Sequence, residues 1–216
     1  MKNRTQRLSL IAVLAALYVA SNVIPISVFI GGAGFITAGI LVLPVVAGLL
    51  RPTDAAGAAI ASALGLFAFQ LSYVPIFGFY GLVIPATGMF LGALSFRKSP
   101  LIPATYVALG AAWYVSFSHG TLLWLLPYGA AIALSIGSTL RMLGGSGNLL
   151  THCVNATTCE LVTMNIGSIS LLLLPGELWS FITPFMLFER ALAVAGSYLI
   201  LLSLKRINIG TRLATS

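Results

Sequence analysis

The sequence predicts an all-α protein, a polytopic bundle of transmembrane helices that forms one integral membrane domain over residues 1–216. Hydrophobic residues make up 59% of the chain and charged residues only 7%, and the mean hydropathy is +1.05. A soluble domain of this length needs a larger polar exterior, because much of its surface stays in contact with water. We therefore expect the lipid bilayer to be the solvent for most of the chain.

The distribution of Lys and Arg is the second observation behind this fold class. Successive basic positions are separated by enough apolar sequence for two crossings, and a Gly, Pro or aromatic break without Lys or Arg lies near each midpoint. Cytoplasmic loops retain basic residues, so we predict a multi-pass protein of the cell (plasma) membrane with both termini cytoplasmic. This topology also explains the net charge of +7 without a nucleic-acid partner. The basic residues concerned are Lys2, Arg4, Arg7, Arg51, Arg97, Lys98, Arg141, Lys205, Arg206 and Arg212.

About eight helical segments follow from the apolar runs. Helices are preferred to strands because the runs are continuous rather than alternating, and because lipid requires the backbone to satisfy its own hydrogen bonds. A full crossing needs about 20 residues, with about 17 tolerated, so the second segment is marginal and is expected to be short, tilted or partly re-entrant. The predicted segments are 8–29, 35–50, 54–74, 79–96, 101–118, 121–140, 149–173 and 181–204.

Small residues form stripes on the first and third segments. Ala12, Ala16 and Ala20 recur every four residues, and Gly57, Ala61 and Gly65 repeat the pattern. Such stripes let another helix backbone approach closely, because packing drives helix association in lipid. They predict either ordinary packing within the chain or the docking of a partner helix.

The seventh segment carries an unusual polar face. On a helical wheel this face is unlikely to meet lipid, because polar groups at membrane depth point to the bundle interior or to a wet cavity. Asn155 and Thr163 are predicted to line a substrate cavity, and hydrogen bonding between helices is the alternative. The polar face comprises Asn148, Thr151, His152, Asn155, Thr158, Cys159 and Thr163.

Glu160 and Arg190 are predicted to form a structural ion pair. Counted from their helix ends at 1.5 Å per residue, the two lie at matching depths. Adjacent residues on a helix do not face each other, so Glu160 is a better partner for Arg190 than Glu189. A role in gating or substrate binding is the alternative, because intramembrane charges are expensive.

Aromatic residues gather near the predicted outer breaks. An interfacial belt is the default explanation, but few aromatics lie near the cytoplasmic ends, so some are expected to line a pocket for a heterocyclic ligand. Gly31, Gly32 and Gly34 would provide an outer connection that acts as a flexible lid or as a tight turn. With the two cavity residues above, the predicted substrate contacts are Tyr80, Trp113, His119, Trp124, Tyr128, Asn155 and Thr163.

The sequence resembles one transporter family in three features. These are the alanine stripe within residues 8–20, the run from Leu43 to Gly65 (LPVVAGLLRPTDAAGAAIASALG), and the placement of both termini inside. This family comprises the substrate-binding S components of energy-coupling factor transporters, small vitamin or micronutrient binders that work with a membrane scaffold and two ATPases. The resemblance implies that Ala12, Ala16 and Ala20 dock on the scaffold, and that the ligand binds in the outer half of the bundle. S components usually have six spans, whereas the apolar runs here indicate eight.

A membrane substrate-binding subunit for uptake of a small, vitamin-like or heterocyclic nutrient is therefore the expected function. A separate ATPase would supply the energy, because the chain has no Walker loop. No enzymatic activity, cofactor or metal is expected. The alternatives are an intramembrane enzyme using His119, His152, Cys159 or Glu160, and a stand-alone transporter coupled to protons through Glu160 and Glu189.

Overall fold

The structure is a computed structural model that describes residues 4–29, 34–71, 74–118 and 120–206. Helices of 11 or more residues dominate this part of the chain, so the predicted helical architecture is confirmed. The elements are α1 (Arg4–Ser21), β1 (Pro25–Phe29), β2 (Gly34–Thr37), α2 (Gly39–Leu49), α3 (Pro52–Ala68), α4 (Val74–Phe77), α5 (Tyr80–Arg97), α6 (Leu101–Phe117), a 3-10 helix (Leu122–Leu125), α7 (Leu126–Thr139), α8 (Gly145–Ser170) and α9 (Gly176–Arg206).

The first predicted segment, 8–29, is wrong at its C-terminal end. The helix stops at Ser21, where the side chains of Ser21 and Asn22 each donate a hydrogen bond of 2.7 Å to the Tyr18 carbonyl. The helix does not resume at Pro25, because proline lacks an amide donor and its ring disfavours a helical conformation of the residue before it. Pro25 instead begins β1, which pairs antiparallel with β2. Gly31 and Gly32, the predicted outer connection, lie outside the described residues, and Gly34 begins β2.

The helices alternate in direction, which brings basic residues together. Within the described ranges, every Lys and Arg except Arg190 lies at one end of the bundle, called here the basic end. Arg7 of α1 forms an ion pair with Asp54 of α3 at this end, and Arg97 Nη2 donates to the Gly48 carbonyl at 3.0 Å. The hydrogen bond that Arg7 donates to the Asp54 carboxylate raises the pKa of Arg7, while burial and the nearby Arg51 lower the pKa of Arg97.

Helix α8 is the centre of the bundle. It packs against α2, α5, α6, α7 and α9, and most of its side chains from Thr151 onwards are buried. Glycines allow the closest approaches: a Cβ on Gly92 of α5 would lie only 2.7 Å from the Ala156 Cβ of α8. The polar side of α8 therefore lies inside the bundle, as its wheel pattern indicates, and the opposite side is buried too.

Two helical stretches of the described chain, Leu122–Thr139 and Gly176–Arg206, are long and apolar enough to cross a membrane. Helices α2 and α6 are apolar but shorter. The predicted second segment, 35–50, becomes an 11-residue helix with a length of about 16 Å at the standard helical rise, after strand β2. Length and composition thus support association with a membrane, whereas eight separate crossings stay a prediction.

Candidate ligand site and partner groove

Thr163 lies at the centre of a hydrogen-bonded group that joins α5, α6 and α8. Its hydroxyl lies 2.5 Å from Thr87 Oγ1 and 2.8 Å from the Tyr106 hydroxyl, and it donates to the Cys159 carbonyl at 2.9 Å. Tyr80 donates to the Thr163 carbonyl at 2.7 Å. The Thr163 hydroxyl therefore joins α8 to α5 through Thr87 and to α6 through Tyr106.

Asn155 lies in a second polar group, closer to the basic end. Its Nδ2 donates to Ser95 Oγ at 3.0 Å and to Ser135 Oγ at 2.9 Å. Ser95 Oγ is also 2.9 Å from Nδ1 of His152. The Asn155 side chain is fully buried, and it links α5, α7 and α8. This arrangement agrees with the alternative interpretation of Asn155, in which its side chain forms hydrogen bonds between helices.

The predicted ion pair between Glu160 and Arg190 is present in the structure. Arg190 Nη1 lies 2.7 Å from Glu160 Oε2 and donates to the Thr157 carbonyl at 3.1 Å. Both side chains are buried, so the opposite charges balance each other inside the bundle. Arg190 also lines a groove of about 580 Å³ among α7, α8 and α9.

Four aromatic residues meet at the end of the bundle opposite the basic end, and they are called here the aromatic cluster: Tyr114, Trp124, Tyr128 and Trp179. The rings of Tyr114 and Trp124 are nearly parallel, with an interplanar angle of 12° and centroids 6.2 Å apart. Trp179 stands edge-on to both, at centroid distances of 5.5 Å and 4.9 Å. Asn165 Nδ2 donates a short hydrogen bond to the Tyr128 hydroxyl. Every ring of the cluster is about 1% exposed.

The structure brings together only some of the predicted substrate contacts. Trp124 and Tyr128 belong to the aromatic cluster, whereas Tyr80 and Thr163 meet each other in the separate group described above. Trp113 is 39% exposed and packs on Phe117 at a centroid distance of 4.4 Å, so it lies on the outer surface of α6. His119 lies outside the described residues.

Sequence reasoning did not select Tyr114, Asn165 and Trp179 as ligand contacts. Trp179 lies between the predicted segments 149–173 and 181–204, but the structure places it in the first turn of α9. On a helical wheel Asn165 lies beside Thr158, about two turns further along the helix, at the edge of the polar face. This polar amide at the edge of the polar face was the available signal for Asn165.

The predicted small-residue stripe of α1, together with Ala61 and Gly65 of the α3 stripe, lines one groove, and Gly57 does not line it. It has a volume of about 690 Å³, opens to the surface of the bundle and is almost entirely apolar. Leu14 and Tyr18, on the opposite side of α1, are buried against the rest of the bundle. The alanine side therefore remains uncovered. The groove residues are Ala12, Ala15, Ala16, Val19, Ala20, Val23, Ala61, Gly65, Phe69 and Leu71.

In the described part of the chain, no group of three or more His, Cys, Asp or Glu side chains is arranged to hold a metal ion. Cys153 and Cys159 are free thiols, and both are fully buried. No protein-family model matches the chain, and comparisons with curated proteins and with solved structures found no match.

Proposed function

We propose that this protein is a membrane-embedded substrate-binding subunit for uptake of a small nutrient, of the S-component type, energised by a separate scaffold and ATPase. The observation that carries the proposal is the open apolar groove between α1 and α3. Ala12, Ala16 and Ala20 lie along one side of this groove, and Ala61 and Gly65 lie along the other. A transmembrane helix of a partner subunit is the occupant that such a surface fits best, because small residues permit close backbone contact in lipid.

Exposed apolar side chains support the membrane location. Phe69, Phe79, Leu109 and Phe188 are each at least 67% exposed and come from different parts of the bundle. Soluble monomers rarely expose apolar surface on this scale, whereas lipid would cover it. The basic end would then be cytoplasmic by the positive-inside bias.

The alternative functions have less support from the described residues. A proton-coupled transporter needs an accessible acid that titrates, but Glu160 is fully buried beside Arg190. An enzyme that uses Cys159 as a nucleophile needs a thiolate that substrate can reach, and this thiol is fully buried. Ligand binding without chemistry requires neither feature.

The proposal is tested by filling the groove. Ala16→Leu should abolish co-purification of the chain with a second membrane protein and an ATP-hydrolysing subunit from native membranes, because the larger side chain removes the space for a partner helix. Ala108→Leu is the matched control, since Ala108 is exposed on α6 outside the groove. Equal co-purification of the two variants would contradict docking at the groove, and uptake by the isolated chain in ATP-free vesicles would contradict the subunit role.

A further inference from the structure

The groove of about 580 Å³ among α7, α8 and α9, called here the α7–α9 groove, opens to the surface of the bundle. Helix α8 packs against both of the other helices and contributes Leu150 and Val154 to the lining. Ala130 belongs to the α7 wall, and Ala191 and Ala195 belong to the α9 wall. These three alanines are exposed, so the groove is accessible from the lipid around the bundle.

The α7–α9 groove has about the length of one lipid leaflet. Its lining on α9 runs from Leu187 to Tyr198, a rise of about 16 Å at the standard helical geometry. The hydrocarbon of one leaflet is about 15 Å thick, half that of the bilayer. Leu187 lies near the middle of α9 and Tyr198 lies nearer the basic end. The groove therefore follows the leaflet on the side of the basic end.

Two polar side chains at the mid-membrane end of the groove have partners inside the bundle. Arg190 lies 2.7 Å from Glu160, which balances its charge. The Thr157 hydroxyl shares its hydrogen between two carbonyls of its own helix, at 3.1 and 3.0 Å. At the other end Tyr198 offers a ring with a polar tip, which suits the membrane interface. The lining is thus compatible with a long apolar occupant.

Both walls of the α7–α9 groove lead to basic residues. Arg141 follows α7, Lys205 and Arg206 end α9, and all three are exposed. The Lys205 ammonium lies 4.0 Å from the position that a Cβ on Gly145 would take, which places it over the first turn of α8. Among the described residues, the single acid at the basic end already pairs with Arg7. An anionic group at this end of the groove would therefore meet cations without a competing carboxylate.

We propose that the α7–α9 groove holds an acyl chain of one anionic phospholipid from the leaflet at the basic end, and that Lys205 and Arg141 bind its phosphate. Lys205 follows Tyr198 by seven residues, so it lies on the same side of α9, about 10 Å beyond the groove. Cations near the membrane surface attract anionic lipids, which favours an anionic over a zwitterionic headgroup. The site rests on the membrane location in the proposed function, but it requires no partner subunit.

Native mass spectrometry of the delipidated full chain in detergent tests the lipid class. The chain is titrated with palmitoyl-oleoyl phosphatidylglycerol, with the phosphatidylcholine of the same acyl chains, and with inorganic phosphate, which has the charge but no acyl chain. One phosphatidylglycerol per chain should bind saturably and at least about fivefold more tightly than phosphatidylcholine. Phosphate should not displace it.

Filling the groove tests the acyl-chain contact. Ala191→Leu combined with Ala195→Leu should weaken phosphatidylglycerol binding about tenfold, because the new side chains take the place of buried methylenes. Ala108→Leu combined with Ala112→Leu is the matched control, since both alanines are exposed on α6 outside the groove. This control should keep the wild-type affinity.

Removing one cation tests the headgroup contact. Lys205→Gln should weaken phosphatidylglycerol binding about fivefold and leave phosphatidylcholine binding unchanged. Lys98→Gln removes an exposed cation from the same end of the bundle, but on α5 rather than beside the groove, and should leave both affinities unchanged. Equal effects of the two substitutions would reduce the headgroup preference to the general charge of the basic end and contradict the site.

Three further outcomes would overturn the inference: no one-to-one binding of phosphatidylglycerol, equal binding of the two lipids, or undiminished binding by the folded α9 double variant. Thermal unfolding shows whether each variant is folded, and the lipid comparison on the unaltered chain stands without them. If the α9 double variant kept its lipid but lost co-purifying subunits, the groove would bind a partner helix instead. Failure of the lipid titrations leaves the co-purification test of Ala16→Leu unaffected, because Ala16 lines the separate groove between α1 and α3.

Discussion

Glu160 and Arg190 give the clearest residue-level agreement between sequence and structure. The pairing could be predicted because both helices have recognisable ends, so the depth of each charge follows from counting residues along the helix. The site residues were harder to predict. Trp113 and Tyr114 are neighbours in the sequence, but Tyr114 is buried in the aromatic cluster and Trp113 faces outwards. Only the rotation of α6 about its axis decides between them, and that rotation depends on contacts with α8.

Removing Arg190 should destabilise the protein strongly. Loss of one partner from a buried ion pair costs about 3 to 5 kcal/mol, because the remaining charge is poorly compensated. Arg190→Ala is therefore expected to lower the free energy of unfolding by a few kcal/mol, and adding Glu160→Gln should restore part of it. The double-mutant cycle is measured by unfolding the purified protein in detergent. Strictly additive costs would show that the pair contributes no coupling.

Asn155 should affect stability rather than ligand binding. Hydrogen bonds between membrane helices contribute about 0.6 kcal/mol on average and up to about 1.7 kcal/mol, and Asn155 joins Ser95 to Ser135. Asn155→Leu is expected to cost about 1 to 2 kcal/mol of stability, because it leaves both serine hydroxyls without their amide partner. Thermal unfolding of the purified variant in detergent measures the loss. Unchanged stability would contradict a role of Asn155 in joining the helices.

At the scale of elements, the sequence predicted the helices well but did not predict the hairpin of β1 and β2. Continuous apolar runs identify helices well, but the same runs do not show that residues 25–29 leave the helix to pair with residues 34–37. That change depends on the side chains of Ser21 and Asn22, which donate hydrogen bonds to the Tyr18 carbonyl in the last turn of α1. It also depends on Pro25. Close packing between α5 and α8 also depends on glycine positions that periodicity alone does not distinguish.

Glycine substitutions test the central packing of α8. Gly92→Ala should destabilise the bundle by about 1 to 3 kcal/mol, the usual cost of overpacking a core, because the new Cβ would lie 2.7 Å from Ala156 Cβ and 2.9 Å from Ala47 Cβ. Gly129→Ala on α7 is the control. Its Cβ would meet nothing within 4 Å, so the higher helix propensity of alanine should make it neutral or stabilising by up to about 1 kcal/mol. Thermal unfolding of both variants measures the difference, and equal stabilities would contradict tight α5–α8 packing.

At the scale of the whole molecule, the spacing of basic residues predicted that one end of the bundle would be basic, and the helix directions agree. Arg7 with Asp54, and Arg97 with the Gly48 carbonyl, bring separate helix ends together there. The aromatic cluster lies at the opposite end, so one orientation in the membrane would place this cluster towards the outside. Sequence alone left the span count open, because it does not show how much of each apolar run becomes helix.

The central claim is that the bundle crosses the membrane with its basic end inside, and labelling introduced cysteines from outside the cell tests it most directly. Lys98 at the basic end and Leu122 near the aromatic cluster are both exposed, while the native Cys153 and Cys159 are fully buried and should react slowly. A membrane-impermeant maleimide is expected to label Leu122→Cys in intact cells, and Lys98→Cys only after permeabilisation. Labelling of both positions from the same side would contradict the orientation, and with it the outward position of the aromatic cluster.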